Sequence, residues 1–155
     1  MPYGADQVKG TLYQGGINIP FMITGPGVNR IGERESGLIN TIDLFSTIAS
    51  LTGVNVDQVN DSISMDYLLS ESQASKRLFQ FSEQRIDTVE EWTISDGDYK
   101  LIEKESGLQE LYQISNDPYE NSELILLDTA PATILSNLSS LADEIRLEGE
   151  SSTPD

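Results

Sequence analysis

One basic side chain stands where it could do chemistry. Lys9 opens the run Lys9-Gly10-Thr11-Leu12-Tyr13-Gln14-Gly15-Gly16-Ile17-Asn18-Ile19-Pro20-Phe21, with an adjacent glycine pair ahead of an apolar stretch. Glycines at such points let the backbone bend sharply or pass close to a neighbour. An ammonium beside that bend can hold an anion. The plainer reading is a solvated lysine on a very acidic chain, which carries 9 Lys+Arg against 26 Asp+Glu and a formal charge of −17.

What is missing narrows the chemistry further. There is no cysteine, hence no disulfide framework, thiolate metal site or thiol nucleophile. There is no histidine, which removes the commonest general base and a favoured zinc ligand. Asp6 invites a metal-ligand reading, but hard cations need several converging oxygens. Asp61, Asp66, Asp96 and Asp98 do not reproduce an EF-hand loop and read as turn or surface acids. The sequence therefore predicts no metal site in this chain. The charge disfavours nucleic acid and anionic lipid as partners. No apolar run approaches the roughly 20 residues of a membrane span, and the start, MPYGADQVKG, lacks the basic and apolar regions of a signal peptide.

The elements that must position Lys9 follow from periodicity and punctuation. At 155 residues, 37% of them hydrophobic, one compact domain or a lobe with a small subdomain is expected. Phe21 to Thr24 reads as a buried strand, with Pro20 at its beginning and Gly25-Pro26-Gly27 as its stop. Residues 40 to 52 read as a helix capped by Asn40 or Thr41, closed by Gly53, and buried along Leu44, Ile48 and Leu51, with Phe45 widening the stripe. Ser64 could cap a short turn at Met65 to Leu69.

Beyond a polar connector come four strand-like pieces: Arg77 to Gln84, Glu91 to Ser95, Tyr99 to Glu103 and Gln109 to Ile114. Asp96-Gly97-Asp98 marks a turn between the second and third. Phe79, Trp92, Tyr99 and Tyr112 lie on this sheet and read as cross-strand packing. Ile134, Leu138, Leu141 and Ile145 keep a helical spacing that would cover one face, with Pro131 in the first turn and Gly149 ending the element. The division expected is 1–70, an α/β portion; 77–149, a small antiparallel sheet of three or four strands packed by a C-terminal helix; and 150–155, a disordered tail.

Three segments, in order, carry a family resemblance. "KGTLYQGGINIPFMITGPG", residues 9 to 27, resembles the sulfatase segment with a Lys-Gly-Thr start, a Gly-Gly turn and a strand ending in Pro-Gly. "GLINTIDLFSTIASLTGV", residues 37 to 54, resembles the next helix of sulfatases. "DGDYKLIEKESGLQELYQISNDPYENSEL", residues 96 to 124, resembles that family's terminal strands and Asp-Pro-x-Glu turn. The resemblance implies the C-terminal part of a sulfatase fold in the alkaline phosphatase-like superfamily, including the edge of its large mixed sheet.

By that resemblance the parent would hydrolyse sulfate monoesters of a sulfated small molecule or glycan, in a periplasmic or secreted setting. It would use a divalent metal, usually calcium, and a formylglycine made within Cys/Ser-x-Pro-x-Arg. That motif is absent here, as are the family's paired aspartates and histidines. Lys9 matches the family lysine that contacts the sulfate, and Gly10, Gly15 and Gly16 would shape the turn beneath it. Gln14 replaces a common glutamate, Asp61-Ser62-Ile63-Ser64 replaces Asp-Gly-x-Ser, and Thr41-Ile42-Asp43 replaces His-x-Asp. The chain alone is expected to be inactive, and either the missing N-terminal portion or self-association would cover its orphan strand. The alternatives are a phosphoester or phosphonate hydrolase of the same superfamily and a non-catalytic acidic interaction module.

Overall fold

The computed structural model describes residues 3–4, 6–57 and 61–151. They fall into two compact units, one joining the segment up to Ile19 with residues from Phe81 onward, the other running from Pro20 to Gln80.

The first unit is built on a four-stranded antiparallel meander, β1 (Gln80–Ile86), β2 (Val89–Ser95), β3 (Lys100–Glu103) and β4 (Gln109–Tyr112), in the order β1-β2-β3-β4. The Asp96 carboxylate closes the β2–β3 turn by accepting from the N–H groups of Asp98 and Tyr99 at 2.9 and 2.7 Å. This is the local bonding that makes Asx residues turn formers. Register pairs Ile94 with Leu101 and Leu101 with Leu111, so these three share one face. Ser95, Lys100 and Tyr112 share the other, as do Thr93, Ile102 and Glu110. The open edge of β4 is covered: Leu111 donates to Glu123 Oε1 and accepts from Leu124 N, both at 2.8 Å, which occupies groups that could template another strand.

The long helix α3 (Ala132–Ser151) packs on β2 and β3. Leu138 and Ala142 are buried, Ile134, Leu141 and Ile145 half-buried, and Gln109 Nε2 donates to Ser139 Oγ at 3.1 Å. The helix continues past Gly149, which does not end it as the sequence predicts; propagating one more turn costs little once a helix is nucleated. The expected tail falls largely in 152–155, outside the described residues.

The second face of the sheet is covered as well. Leu12 is buried against Ile102 and Tyr112, with Tyr13, Ile17 and Ile114 packed around them. The sequence groups this N-terminal segment with the α/β portion that runs to residue 70, whereas in the structure it packs on the strands. The one-turn helix α1 (Gln14–Ile17) lies within this cover.

In the second unit the sequence reading is corrected twice. Phe21–Thr24 forms no strand: it has no ladder partner among the described residues, and Phe21, Met22 and Ile23 are exposed. A strand exists only through its pairing, so apolar content by itself cannot make one. The helix α2 (Asp43–Thr52) does form and ends at Gly53 with φ 70°, but neither Asn40 nor Thr41 caps it. Its buried side is Asp43, Thr47 and Ala49, while Phe45, Ile48 and Leu51 are 49%, 58% and 51% exposed.

The reason is polar. Asp43 accepts from Arg77 Nη2 at 2.5 Å, Arg77 Nε at 2.8 Å, Asn40 N at 2.7 Å and Ile63 N at 2.9 Å. Thr47 Oγ1 donates to Asp43 O at 2.6 Å and accepts from Met65 N at 3.0 Å. Arg77, expected in the first strand, leaves it to reach this carboxylate. The expected short turn forms as a 3-10 helix at Asp66–Leu69.

Candidate functional site

The loop carrying Lys9 is tied at both ends to one residue. On the incoming side, Gln7 N and Gly4 O bond at 3.1 Å, Gly4 N donates to Gln7 Oε1 at 3.0 Å, and Gln7 Nε2 donates to the main-chain oxygen of Glu120 at 3.0 Å. On the outgoing side, Gln14 N donates to Glu120 Oε2 at 2.6 Å. Glu120 Oε1 accepts from Lys100 Nζ at 2.5 Å, and both side chains are essentially excluded from solvent. Burial pushes the Lys100 ammonium below its ordinary value, with the Glu120 charge opposing that shift.

Between these ties the chain turns tightly. Gly10 has φ 86° with open space around it, a left-handed conformation that favours glycine. Thr11 Oγ1 donates to Val8 O at 2.7 Å across the Lys9–Gly10 corner. Gly15 and Gly16 act differently from the sharp bend predicted for them. Both lie in α1, and a Cβ on Gly15 would overlap the Gln7 carbonyl oxygen, one on Gly16 that of Thr11. They permit close packing of backbone on backbone rather than an unusual dihedral.

Tyr13 anchors the far side. Its hydroxyl donates to Glu110 Oε2 at 2.6 Å, and the Tyr112 hydroxyl donates to the same oxygen at 3.0 Å. The rings meet edge-on with centroids 6.2 Å apart. Burial first, then Glu110, pushes both phenols well above the ordinary tyrosine value. Lys104 Nζ lies 4.6 Å from the Tyr13 ring centroid.

Lys9 itself is exposed and makes no hydrogen bond or ion pair among the described residues. A free ammonium on a fastened loop can present positive charge to an oxyanion at little cost in rearrangement. It cannot supply a nucleophile. Among the described residues no group of three or more His, Cys, Asp or Glu could hold a metal ion, so the residues present do not fit a calcium centre.

The acids weighed as ligands do not converge on one point. Asp6 is exposed; Asp61 lies 3.7 Å from Arg77; Asp66 accepts from Ser50, Ser64 and Tyr67 N. Asp96 closes its turn, and Asp98 accepts from Ser115. Of the aromatics expected to pack across the strands, Trp92 does so, buried and stacked on Phe81 at 6.3 Å, whereas Phe79 and Tyr99 precede β1 and β3 and Tyr112 meets Tyr13 instead. A shallow groove of ≈ 420 Å³ beside α2, lined by Ser46, Ser50, Asp57, Ser62 and Ser64 among others, contains no basic side chain to attract an anion.

Sequence reasoning missed Glu120, Gln7 and Lys100. A signal for the pair was present: a lysine inside the apolar strand Tyr99-Lys100-Leu101-Ile102 must bury its charge against a partner.

Comparison with known proteins agrees with this architecture. A putative sulfatase from Bacteroides thetaiotaomicron superposes over 95% of this chain and 34% of its own, with TM-score 0.79 and 25% identity. A protein solved with its substrate D-glucosamine-2-N,6-O-disulfate shares the fold over 72% of this chain and 24% of its own, with TM-score 0.59 and 20% identity. A sulfatase of Formosa agariphila is 28% identical over 145 residues, covering 81% of this chain and 26% of the relative. An arylsulfatase of Klebsiella aerogenes is 39% identical over 54 residues, covering 35% of this chain and 11% of the relative. The chain thus spans about a third or less of the length of each of these relatives. The family model described as N-sulphoglucosamine sulphohydrolase, C-terminal, matches residues 7–147, from the Gln7 tie to the last turns of α3, and the chain belongs to that family.

Proposed function

We propose that this chain is the C-terminal part of a sulfatase that hydrolyses sulfate monoesters, and that Lys9 is its contribution to the reacting centre. Residues 20–70 would complete the α/β body, and 77–149, with the segment up to Ile19 packed on its strands, would form the terminal subdomain. The observation that carries the reading is the exposed ammonium of Lys9, without a partner among the described residues, on a loop fastened at Gln7 and Gln14. A charge held there would neutralise a sulfate oxygen as negative charge shifts in the transition state. The family's description and the sulfated glucosamine bound by a structural relative support a sulfated sugar as the substrate class. The family resemblance assigns a divalent metal and formylglycine to the whole enzyme. This chain has neither the Cys/Ser-x-Pro-x-Arg segment nor a ligand cluster among its described residues, so its part is confined to charge and positioning.

The test is Lys9→Ala in the whole enzyme, assayed on 4-nitrophenyl sulfate. Removing a preorganised stabilising group costs on the order of 100-fold in kcat, and that loss is expected here, with no turnover from the 155-residue chain alone. A rate within twofold of the parent would remove Lys9 from the site, and no turnover of either ester by the whole protein would favour the acidic-module reading. Faster turnover of 4-nitrophenyl phosphate than of the sulfate would move the enzyme to the phosphoester branch.

A further inference from the structure

We propose that Glu120, held from behind by Lys100, is the positioning residue that sets the Lys9 loop on the sheet. The inference rests on the proposed role of Lys9 for its functional consequence, but its geometry stands apart from that role.

Glu120 is 113 residues from Gln7 and 106 from Gln14 in sequence, yet its carbonyl receives one and its carboxylate the other. It is 1% exposed, and its own backbone has φ 55°. A residue without glycine's freedom holds such a dihedral only when its surroundings over-determine it. The surroundings here are the main-chain bond to Asp117 O at 3.1 Å and the three bonds from Gln7, Gln14 and Lys100. Tyr3 reinforces the arrangement by meeting Tyr119 edge-on at 5.1 Å.

Lys100 explains why the carboxylate stays aimed. Its ammonium comes from β3, in register with Tyr112, so one carboxylate oxygen is pinned to the sheet and the other is left to the loop. The bond to Gln14 N satisfies a donor at the first turn of α1 that has no partner within the helix. Lys9 lies in the short stretch between the two tied residues, so both bonds limit where its ammonium can travel. Neither Glu120 nor Lys100 needs to touch a substrate for this, because each acts through the loop.

The pair can be dissected without leaving a buried charge alone. Lys100→Met with Glu120→Leu removes both charges while keeping volume, a replacement that buried ion pairs tolerate. Gln14→Pro removes the donating N–H and sets the ring Cδ against Glu120 Oε2, so it breaks the outgoing tie while leaving Lys100 and Glu120 in place. Proline suits that position, since it opens a helix and follows Tyr13 at φ −71°, ψ 162°.

Amide hydrogen exchange of the 155-residue chain is the first readout. Both variants are expected to speed exchange across residues 8–17 at least about tenfold while Thr93, Ile94, Leu101 and Ile102 keep their protection. Loop exchange within twofold of the parent in either folded variant would overturn the proposal. So would equal loss of protection in loop and sheet in Gln14→Pro, since Glu120 would then be a core residue with no special hold on the loop.

The second readout is a double-mutant cycle in the whole enzyme on 4-nitrophenyl sulfate. Gln14→Pro should lower kcat about tenfold, and adding it to Lys9→Ala should cost nothing further, because both remove the same placed charge. Full additivity would overturn the functional half. If Lys9→Ala alone is silent, the proposed function fails, while the exchange experiment still decides the tether.

Discussion

Arg77→Met tests the account of the second unit most sharply. Arg77 and Asp43 retain only 4% and 2% of their side-chain exposure, so deleting the guanidinium leaves a carboxylate stranded out of water. Breaking a buried pair this way costs about 3–5 kcal/mol. Asp43 would keep two of its four bonds, those from Asn40 N and Ile63 N, which places the loss near the lower end, about 3 kcal/mol. That is roughly a hundredfold increase in the open population.

The effect should depend on pH with a definite sign. Burial raises the Asp43 carboxyl, but the bonds from Arg77, Asn40 N and Ile63 N outweigh it and hold the group below its ordinary value. In the parent, therefore, Asp43 stabilises the fold above about pH 4, and the contribution fades as acid protonates it. Without Arg77 the burial cost dominates and the folded carboxyl titrates above its unfolded value. The penalty is then complete near neutrality and relieved as pH falls. Hydrogen exchange of residues 43–52, compared between variant and parent at pH 7 and at pH 4, reads both claims. The fluorescence of Trp92, the one tryptophan, reports the sheet unit separately. An exchange ratio below about fivefold at pH 7, or one that grows toward pH 4, would refute the reasoning.

Two further outcomes are expected. Gly15→Ala and Gly16→Ala should each destabilise the loop by about 2 kcal/mol or more through overlap with a carbonyl oxygen, against about 1 kcal/mol for Gly10→Ala, which meets only an unfavourable dihedral; thermal melts that rank Gly10→Ala worst would contradict this. The exposed Met22, Phe45, Ile48 and Leu51 should make the chain associate as concentration rises, and Ile48→Glu should weaken that association; sedimentation showing the same monomer across a dilution series for both proteins would sink it.

How far the sequence could be read differs between its parts. The sheet was legible because its determinants are local: Asp96-Gly97-Asp98 forces a turn, and Leu101-Ile102 and Leu111-Tyr112 cannot stay in water. The helix at 43–52 was legible for the same reason, since its apolar spacing and Gly53 are written along the chain. The family was legible in residues 9–27, 37–54 and 96–124, which the family model spans, while the role of Lys9 is the proposal made above. The face that α2 buries was not legible, because periodicity names an apolar stripe but not what lies against it. In this unit the buried side is settled by Arg77, 34 residues from Asp43.

By composition and local pattern alone, the amino-acid order determined an acidic chain without thiol or imidazole chemistry, a small antiparallel sheet, a terminal helix and a lysine set beside glycines. The tertiary structure alone decided that the segment around Leu12 and Tyr13 closes the second face of that sheet, that Phe21–Thr24 has no strand partner among the described residues, and that Glu120 gathers Gln7, Gln14 and Lys100. The physical reason is range. Turns and helices arise from neighbours a few residues apart, whereas a buried charge must find its partner wherever folding brings one, and no spacing along the chain records that distance.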